Sequence, residues 1–300
     1  MEKPLVSIVT ITRNRGYLLG RCIKSVLEQT YKNIEHIVVD GASDDNTDDI
    51  IKEFLDDKRF RFVKLDYNWP IKETLDHGIS LCNGKFISFL DSDDEYVPTK
   101  IEKQVSLFET LPEDYGFIYC WMTYFDNNTH EVIRCHKTEL RGFVSDKVLG
   151  SPILSGTPTL MFRAETIRDL DGWKSMDEIG IVSDWELCAR ACQKYKVDYV
   201  PESLVNVYVN HSSVRQSESR AYYNNQAERL IKFHLHFLRE FKDTFDHNPK
   251  LAQNHYYELT QCYSELKKRG EALNYLRKYS IGSRKFGIII KLFIKILLGR

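Results

Sequence analysis

Three aspartates within four residues, Asp91, Asp93 and Asp94, mark the densest chemistry in the chain, in the run KFISFLDSDDE at residues 85–95. Carboxylates this close repel one another unless a positive charge neutralises them. Hard cations such as Mg²⁺ and Mn²⁺ prefer carboxylate oxygen, and Mg²⁺ is commonly held by one or two carboxylates with substrate phosphates completing its shell. The same residues also suit a solvated acidic turn before a helix, since Pro98 and Thr99 lead into Ile101, Val105 and Phe108 at helical spacing. Asp-x-Asp alone does not separate the two readings. A second candidate is Asp184 in Ser183-Asp184-Trp185-Glu186. Ser-x-x-Glu is a capping box, and the helix dipole favours an acid in the first turn, so the residues alone favour a structural role for Asp184 over a catalytic one.

These side chains need rigid elements to place them. Residues 5–12 (LVSIVTIT) read as a strand, followed by a turn with Arg13 and Arg15 and then a helical stripe of Leu18, Cys22, Val26 and Leu27. A second strand, 34–39, runs into Asp40 and a polar loop to Thr47, and the next helix turns Ile50, Ile51, Phe54 and Leu55 inward. A strand at 60–65 and a helix at 71–81 lead to the apolar run 86–90. Four such alternations argue for a parallel sheet with right-handed crossovers. The loops carrying Arg13, Asp40 and the aspartate cluster then converge on one sheet edge, where open α/β sheets bind ligands. The chain has no G-x-G-x-x-G after its first strand and no G-x-x-x-x-G-K-[ST], which counts against a dinucleotide site and a phosphate loop.

Three hundred residues, 42% hydrophobic, suit one large soluble domain or two small ones. The net charge of −1 gives no reason to expect nucleic acid, yet residues 281–300 carry five Lys or Arg and no acid, leaving −6 on the rest. Seven cysteines without a Cys-x-x-Cys pair, and no signal peptide before the first strand, point to a reduced, cytoplasmic compartment. Cys188 and Cys192 lie four apart and Cys135 adjoins His136, but no four-ligand zinc spacing appears.

The segments VSIVTITRNR, VVDGASDDNT, GKFISFLDSDDEYVPTK and SDWELCARA follow one another as the landmarks of the family 2 glycosyltransferases do. Over residues 4–211 the chain resembles that family, of the bacterial surface-polysaccharide type. The resemblance implies a GT-A fold, an α/β architecture with a Rossmann-like, mixed and mainly parallel sheet flanked by helices. It implies inverting sugar transfer from a nucleotide-diphosphate sugar, UDP-linked, with Mg²⁺ or Mn²⁺. Asp40 would bond the nucleobase; Asp91 and Ser92, with Thr10, Thr12, Arg13 and Lys72, would line the nucleotide sugar; Asp93 and His211 would face the metal; Asp184 would be the general base. The chain departs from the family pattern at Gly41, at Ser183 and in Thr74-Leu75-Asp76-His77-Gly78, where the family's arginine is missing and the diphosphate falls to Lys72, Arg13 or Arg15. Two other classes compete. A sugar nucleotidyltransferase calls for a Gly-rich cationic loop after the first strand, of which ITRNRG is a poor version. A non-catalytic nucleotide-sugar-binding module at a membrane sits badly with intact Asp40, Asp91, Asp93 and Asp184.

Beyond the cluster, 116–125 and 132–135 read as a hairpin whose aromatic residues form either a sugar-stacking wall or core, and residues 159–162 read as a strand that the resemblance places beside the acceptor. The transferase domain is expected over 1–215 and a helical extension over 216–280, with Ala227, Leu230, Ile231, His234 and Leu238 at helical spacing. Residues 255–279 resemble a single tetratricopeptide-type hairpin, with Tyr256, Leu259, Cys262, Tyr263, Ala272, Leu273 and Leu276 in the packing places. The tail, 281–300, is too short and charged to span a bilayer. With Lys291 and Lys295 on one face it suits a helix lying in an anionic membrane interface, or one buried against the core. A glycan or lipid-linked acceptor and a peripheral place on the inner face of the cell membrane follow from the first of these.

Overall fold

The computed structural model describes residues 3–154, 156–181, 183–209, 226–282 and 286–298. Four apolar strands open it: β1 (Val6–Thr12), β2 (Ile34–Asp40), β3 (Phe60–Lys64) and β4 (Phe86–Phe89). Every residue of β4 is buried, and all but one of β1, as in strands covered on both faces. The crossovers are α1 (Gly16–Leu27), α2 (Thr47–Lys52) and α3 (Ile71–Ser80). β1 pairs in parallel with β2 and β4, and β2 with β3; Thr12 stands opposite Asp40, so the loops leaving β1 and β2 emerge together.

The second half makes the sheet mixed. It comprises β5 (Glu95–Tyr96), α4 (Lys100–Thr110), β6 (Tyr115–Asp126), β7 (Val132–His136), β8 (Met161–Arg163) and β9 (Lys196–Val209). Among the described residues the strand order is β3-β2-β1-β4-β8-β6-β9-β5, with β7 on β6. β8 runs antiparallel to β4 and β6, β9 parallel to β6, and β5 antiparallel to β9. The expected hairpin forms between β6 and β7. Its aromatic residues divide: Phe117 and Tyr119 are fully buried core, whereas Tyr124 and Phe125 are half-buried. Phe86 stacks on Phe108 of α4, ring centroids 4.7 Å apart. Leu55, read as inward-facing, is 57% exposed. The helix stops at Lys52, so the helical phase that would turn Leu55 inward is lost.

The remaining helices are α5 (Ser145–Gly150), α6 (Ala164–Asp169), α7 (Met176–Ile179), α8 (Asp184–Lys194), α9 (Gln226–Glu240), α10 (Lys242–His247), α11 (Gln253–Glu265), α12 (Arg269–Gly282) and α13 (Phe286–Leu298). The chain divides into two compact units, residues 1–144, 153–173 and 187–212 in one and residues 145–152, 174–186 and 213–300 in the other. Composition marks a change near residue 216; the contacts add two earlier segments to the C-terminal helices.

Within the second unit α11 and α12 form the expected helical pair. Leu259 and Cys262 pack with Ala227 and Ile231 of α9, while Ala272 and Leu276 pack with Tyr256 and Tyr263. Leu273, assigned to the same packing, is 36% exposed. In α13, Leu292 and Ile296 are buried against Ala272, Leu276 and Tyr279, so one stripe of the tail is a packed helix. Ile290, Phe293, Ile294 and Leu297 form a second stripe left 46–58% exposed. No helix among the described residues is long and apolar enough to cross a membrane.

Three buried histidines make stability depend on pH. His36 on β2 lies with Nε2 3.0 Å from Thr10 Oγ1. His255 Nε2 is 2.9 Å from the carbonyl of Leu149 and its Nδ1 is 2.9 Å from His234 Nδ1. A carbonyl only accepts, so His255 carries its proton on Nε2 and accepts from His234 through Nδ1. Burial lowers His36 to about 3 and His255 to about 4; burial and then the neighbouring His255 lower His234 to about 3. Unfolded histidines titrate near 6.5, so between about 6.5 and 4 the unfolded chain binds protons that the folded chain refuses, and acid weakens the fold over that window. The urea midpoint is expected to fall on moving from about pH 7 to about pH 4.5. An unchanged midpoint would show that these imidazoles are not held neutral.

Candidate active site

Hydrogen bonds lace the loops leaving β1 and β2. Asp40, at the end of β2, is fully buried; its carboxylate accepts the Ser43 N–H at 3.0 Å and the Ser43 hydroxyl. The Ser43 hydroxyl in turn accepts the Asn14 N–H at 2.8 Å, and Asp44 N–H donates to Asn14 Oδ1 at 3.0 Å. Gly41 N–H donates to the carbonyl of Thr12 at 2.9 Å. A Cβ on residue 41 would lie 3.2 Å from Asn68 Oδ1, a tight approach to the end of a side chain. Thr12 Oγ1 is buried without a hydrogen-bond partner among the described residues, a polar atom left beside Asp40. Thr10 shares its face but lies deeper. It is fully buried, its hydroxyl 3.0 Å from His36 Nε2 and 3.8 Å from Cys22 Sγ, so it braces the strand. Arg13 is exposed at the turn.

At the end of β4, Leu90 N–H reaches the Val9 carbonyl at 3.0 Å and Asp94 N–H closes a turn on the Asp91 carbonyl at 3.0 Å. Asp91 is exposed, whereas Ser92, Asp93 and Asp94 are buried. Arg15 Nη1 lies 3.1 Å from Asp93 Oδ1 and 3.4 Å from Ser92 Oγ. Asp94 is pushed well above the usual carboxylate range, first by burial and then by the charges of Asp91 and Asp93. Of the three cations left open for the diphosphate, Arg15 is held on this cluster; Lys72 is paired with Asp76, the chief reason that its pKa is raised.

Two residues that no motif marked complete this corner. Arg21 of α1 donates from Nη2 to the Asp93 carbonyl at 2.8 Å, lies 3.3 Å from Glu95 Oε1 through Nε, and stacks 3.7 Å over the Tyr208 ring. Tyr208 N–H donates to Asp94 Oδ1 at 3.0 Å and its hydroxyl to Glu95 Oε2 at 2.7 Å. The pairing of β5 with β9 brings Tyr208 there. His211, three residues further on, lies outside the described residues.

Asp184 is the half-buried first residue of α8, and the division between units runs through this helix: Asp184 to Glu186 group with the second unit. Trp185 Nε1 donates to the Val148 carbonyl at 2.5 Å. Glu186, read as the far end of the capping box, is fully buried with Oε1 3.2 Å from His236 Nε2. Leu187 and Ala191 are buried as the helical stripe requires. Among the described residues no set of three or more His, Cys, Asp or Glu side chains could cage a metal ion. All seven cysteines are free thiols.

Residues 7–168, more than half of the chain, match the family described as Glycosyl transferase family 2. An uncharacterized glycosyltransferase of Methanocaldococcus jannaschii is 27% identical over 244 residues, 78% of this chain and 83% of that one. The UDP-Glc:alpha-D-GlcNAc-diphosphoundecaprenol beta-1,3-glucosyltransferase WfgD of Escherichia coli is 34% identical over 129 residues, 43% of this chain; the match spans only half of that relative's length. The S. aureus TarS structure with UDP-GlcNAc superposes with a TM-score of 0.61 at 14% identity, over 94% of this chain and 91% of that one. The mannosyltransferase PcManGT from Pyrobaculum calidifontis, with GDP-Man and Mn²⁺, gives 0.60 at 15% identity, over 99% and 86%. At such identities the two structures speak for the fold, the GT-A arrangement of a mixed sheet flanked by helices. The family match speaks for the chemistry, and the chain belongs to glycosyl transferase family 2.

Proposed function

We propose that this glycosyltransferase moves a sugar from a UDP-linked donor to an acceptor hydroxyl in one inverting displacement, with Asp184 as general base. The observation that carries the donor half is the end of β4, where buried Asp93 is held by Arg15 and its neighbour Asp91 is open to solvent. A hydroxyl is a poor nucleophile, so a carboxylate must accept its proton as the new bond forms. Asp184 has that role here; Asp40 and the unpartnered Thr12 hydroxyl serve the nucleoside, Asp91 and Ser92 the donor's ribose and diphosphate, and Arg15 and Arg13 its negative charge. The UDP-Glc in the name of WfgD and the UDP-GlcNAc bound to TarS support the choice of UDP.

Mg²⁺ or Mn²⁺ suits these residues. Three carboxylates within four residues, Asp91, Asp93 and Asp94, suit a hard cation whose shell substrate phosphates complete. Asp93 would hold it, with His211 as a second ligand, and the Mn²⁺ in PcManGT supports that choice. When bound, such an ion supplies Lewis-acid stabilisation of the leaving diphosphate.

For the acceptor we favour a lipid-linked glycan, reached from the cytoplasmic face of the membrane, as the diphosphoundecaprenol in the name of WfgD suggests. The exposed stripe Ile290, Phe293, Ile294 and Leu297, on a tail bearing only positive charge, would rest on anionic lipid. Cosedimentation with phosphatidylglycerol vesicles is expected for the full chain and is expected to drop severalfold for Phe293→Ser with Ile294→Ser. Equal sedimentation of both would remove the tail from this role.

The test of the activity is hydrolysis or transfer of UDP-glucose, UDP-GlcNAc and GDP-mannose with and without Mn²⁺. Turnover of a UDP-sugar supports the reading. Tight binding of UDP-sugars with no turnover in the presence of lipid-linked acceptors would favour a non-catalytic binding module instead.

A further inference from the structure

Asp184 is followed by two residues whose side chains are built into the C-terminal helical unit. The Trp185 indole N–H donates to the Val148 carbonyl of α5 at 2.5 Å. Its ring stacks on His255 of α11, centroids 5.3 Å apart and 15° from parallel, and packs on Phe237 of α9 at 4.7 Å. His255 is itself fixed by the Leu149 carbonyl and by His234. Glu186 Oε1 meets His236 Nε2 of α9 at 3.2 Å, and both side chains are buried. The approach to this helix start is pinned to α9 as well: Lys232 donates to the Asp177 carbonyl, and Gly180, at φ +87°, lies so close to α9 that an added Cβ would stand 2.3 Å from the Arg229 carbonyl. Each of these contacts lies within the second unit, with which residues 174–186 group.

We infer that the helical unit is the mount of the general base, and that Trp185 and the Glu186–His236 pair are positioning residues that fix the direction of the Asp184 carboxylate. The inference rests on the assignment of Asp184 as base. Proton transfer demands near-attack geometry, and a displacement of about 1 Å costs about a hundredfold in rate.

The experiment compares Trp185→Phe, His236→Ala, His236→Gln and Asp184→Asn in the full chain, using the UDP-sugar that the wild type turns over. The phenylalanine keeps the stacked ring and loses the N–H; the glutamine retains a donor for Glu186. Trp185→Phe and His236→Ala are expected to lower kcat about tenfold or more. Their donor KM and their affinity for UDP by calorimetry should stay within twofold, and the pH at which kcat is half-maximal should shift. His236→Gln should recover most of the loss. Unchanged kcat in both variants, while Asp184→Asn is inactive, would overturn the inference and leave the base assignment standing. Parallel loss of kcat and UDP affinity would also overturn it, as the mark of general loosening. An active Asp184→Asn would overturn the assignment and the inference together.

Discussion

Asp184→Asn should slow sugar transfer by about a thousandfold while the chain still binds its donor, because general-base catalysis contributes roughly 10² to 10⁴ in rate. The amide keeps the size of the carboxylate and loses the ability to take a proton. Asp184 is the half-buried first residue of α8. Asparagine matches aspartate in size and shape, and the Ser183 cap position is untouched, so the helix is expected to stay intact. The measurement is kcat with the productive UDP-sugar, beside UDP affinity by calorimetry. A loss of less than about tenfold would remove Asp184 from proton transfer.

The second large effect belongs to Asp93. Alanine there removes a buried carboxylate with Arg15 at 3.1 Å and takes away one of the two charges that raise Asp94. Electrostatic stabilisation of a leaving group is worth about 10² to 10³ per donor in comparable sites. Asp93→Ala is therefore expected to lose turnover on that order and to lose its response to added Mn²⁺, with the thermal midpoint little changed. Asp93→Asn separates charge from shape: if charge is what matters, it behaves as alanine does. Full stimulation of either variant by Mn²⁺ would place the cation elsewhere.

Local signals carried much of this molecule. The apolar runs at β1, β2 and β4 and the amphipathic turns between them defined the parallel half of the sheet, because a strand covered on both faces leaves an unbroken apolar record. The aspartate cluster stood out for a similar reason, since so many like charges together demand a partner. What the sequence hid depends on distant pairing. Arg21 reads as an ordinary helix-surface cation until β5 meets β9 and sets Tyr208 under it. Thr10 and Thr12 look alike at a spacing of two, and only depth in the sheet separates the brace from the unpartnered hydroxyl. Trp185 has no local signal for its place, because the groups that hold it come from α5, α9 and α11.

The grouping of residues 145–152 and 174–186 with the C-terminal helices has a consequence for recombination. Chimeras that exchange the C-terminal helices between relatives are naturally cut where composition changes, near residue 216. Such a junction would leave Val148 and Trp185 from one parent against His255 and Phe237 from the other, separating partners that are mutually buried. Working hybrids should instead transplant three discontinuous pieces as one block.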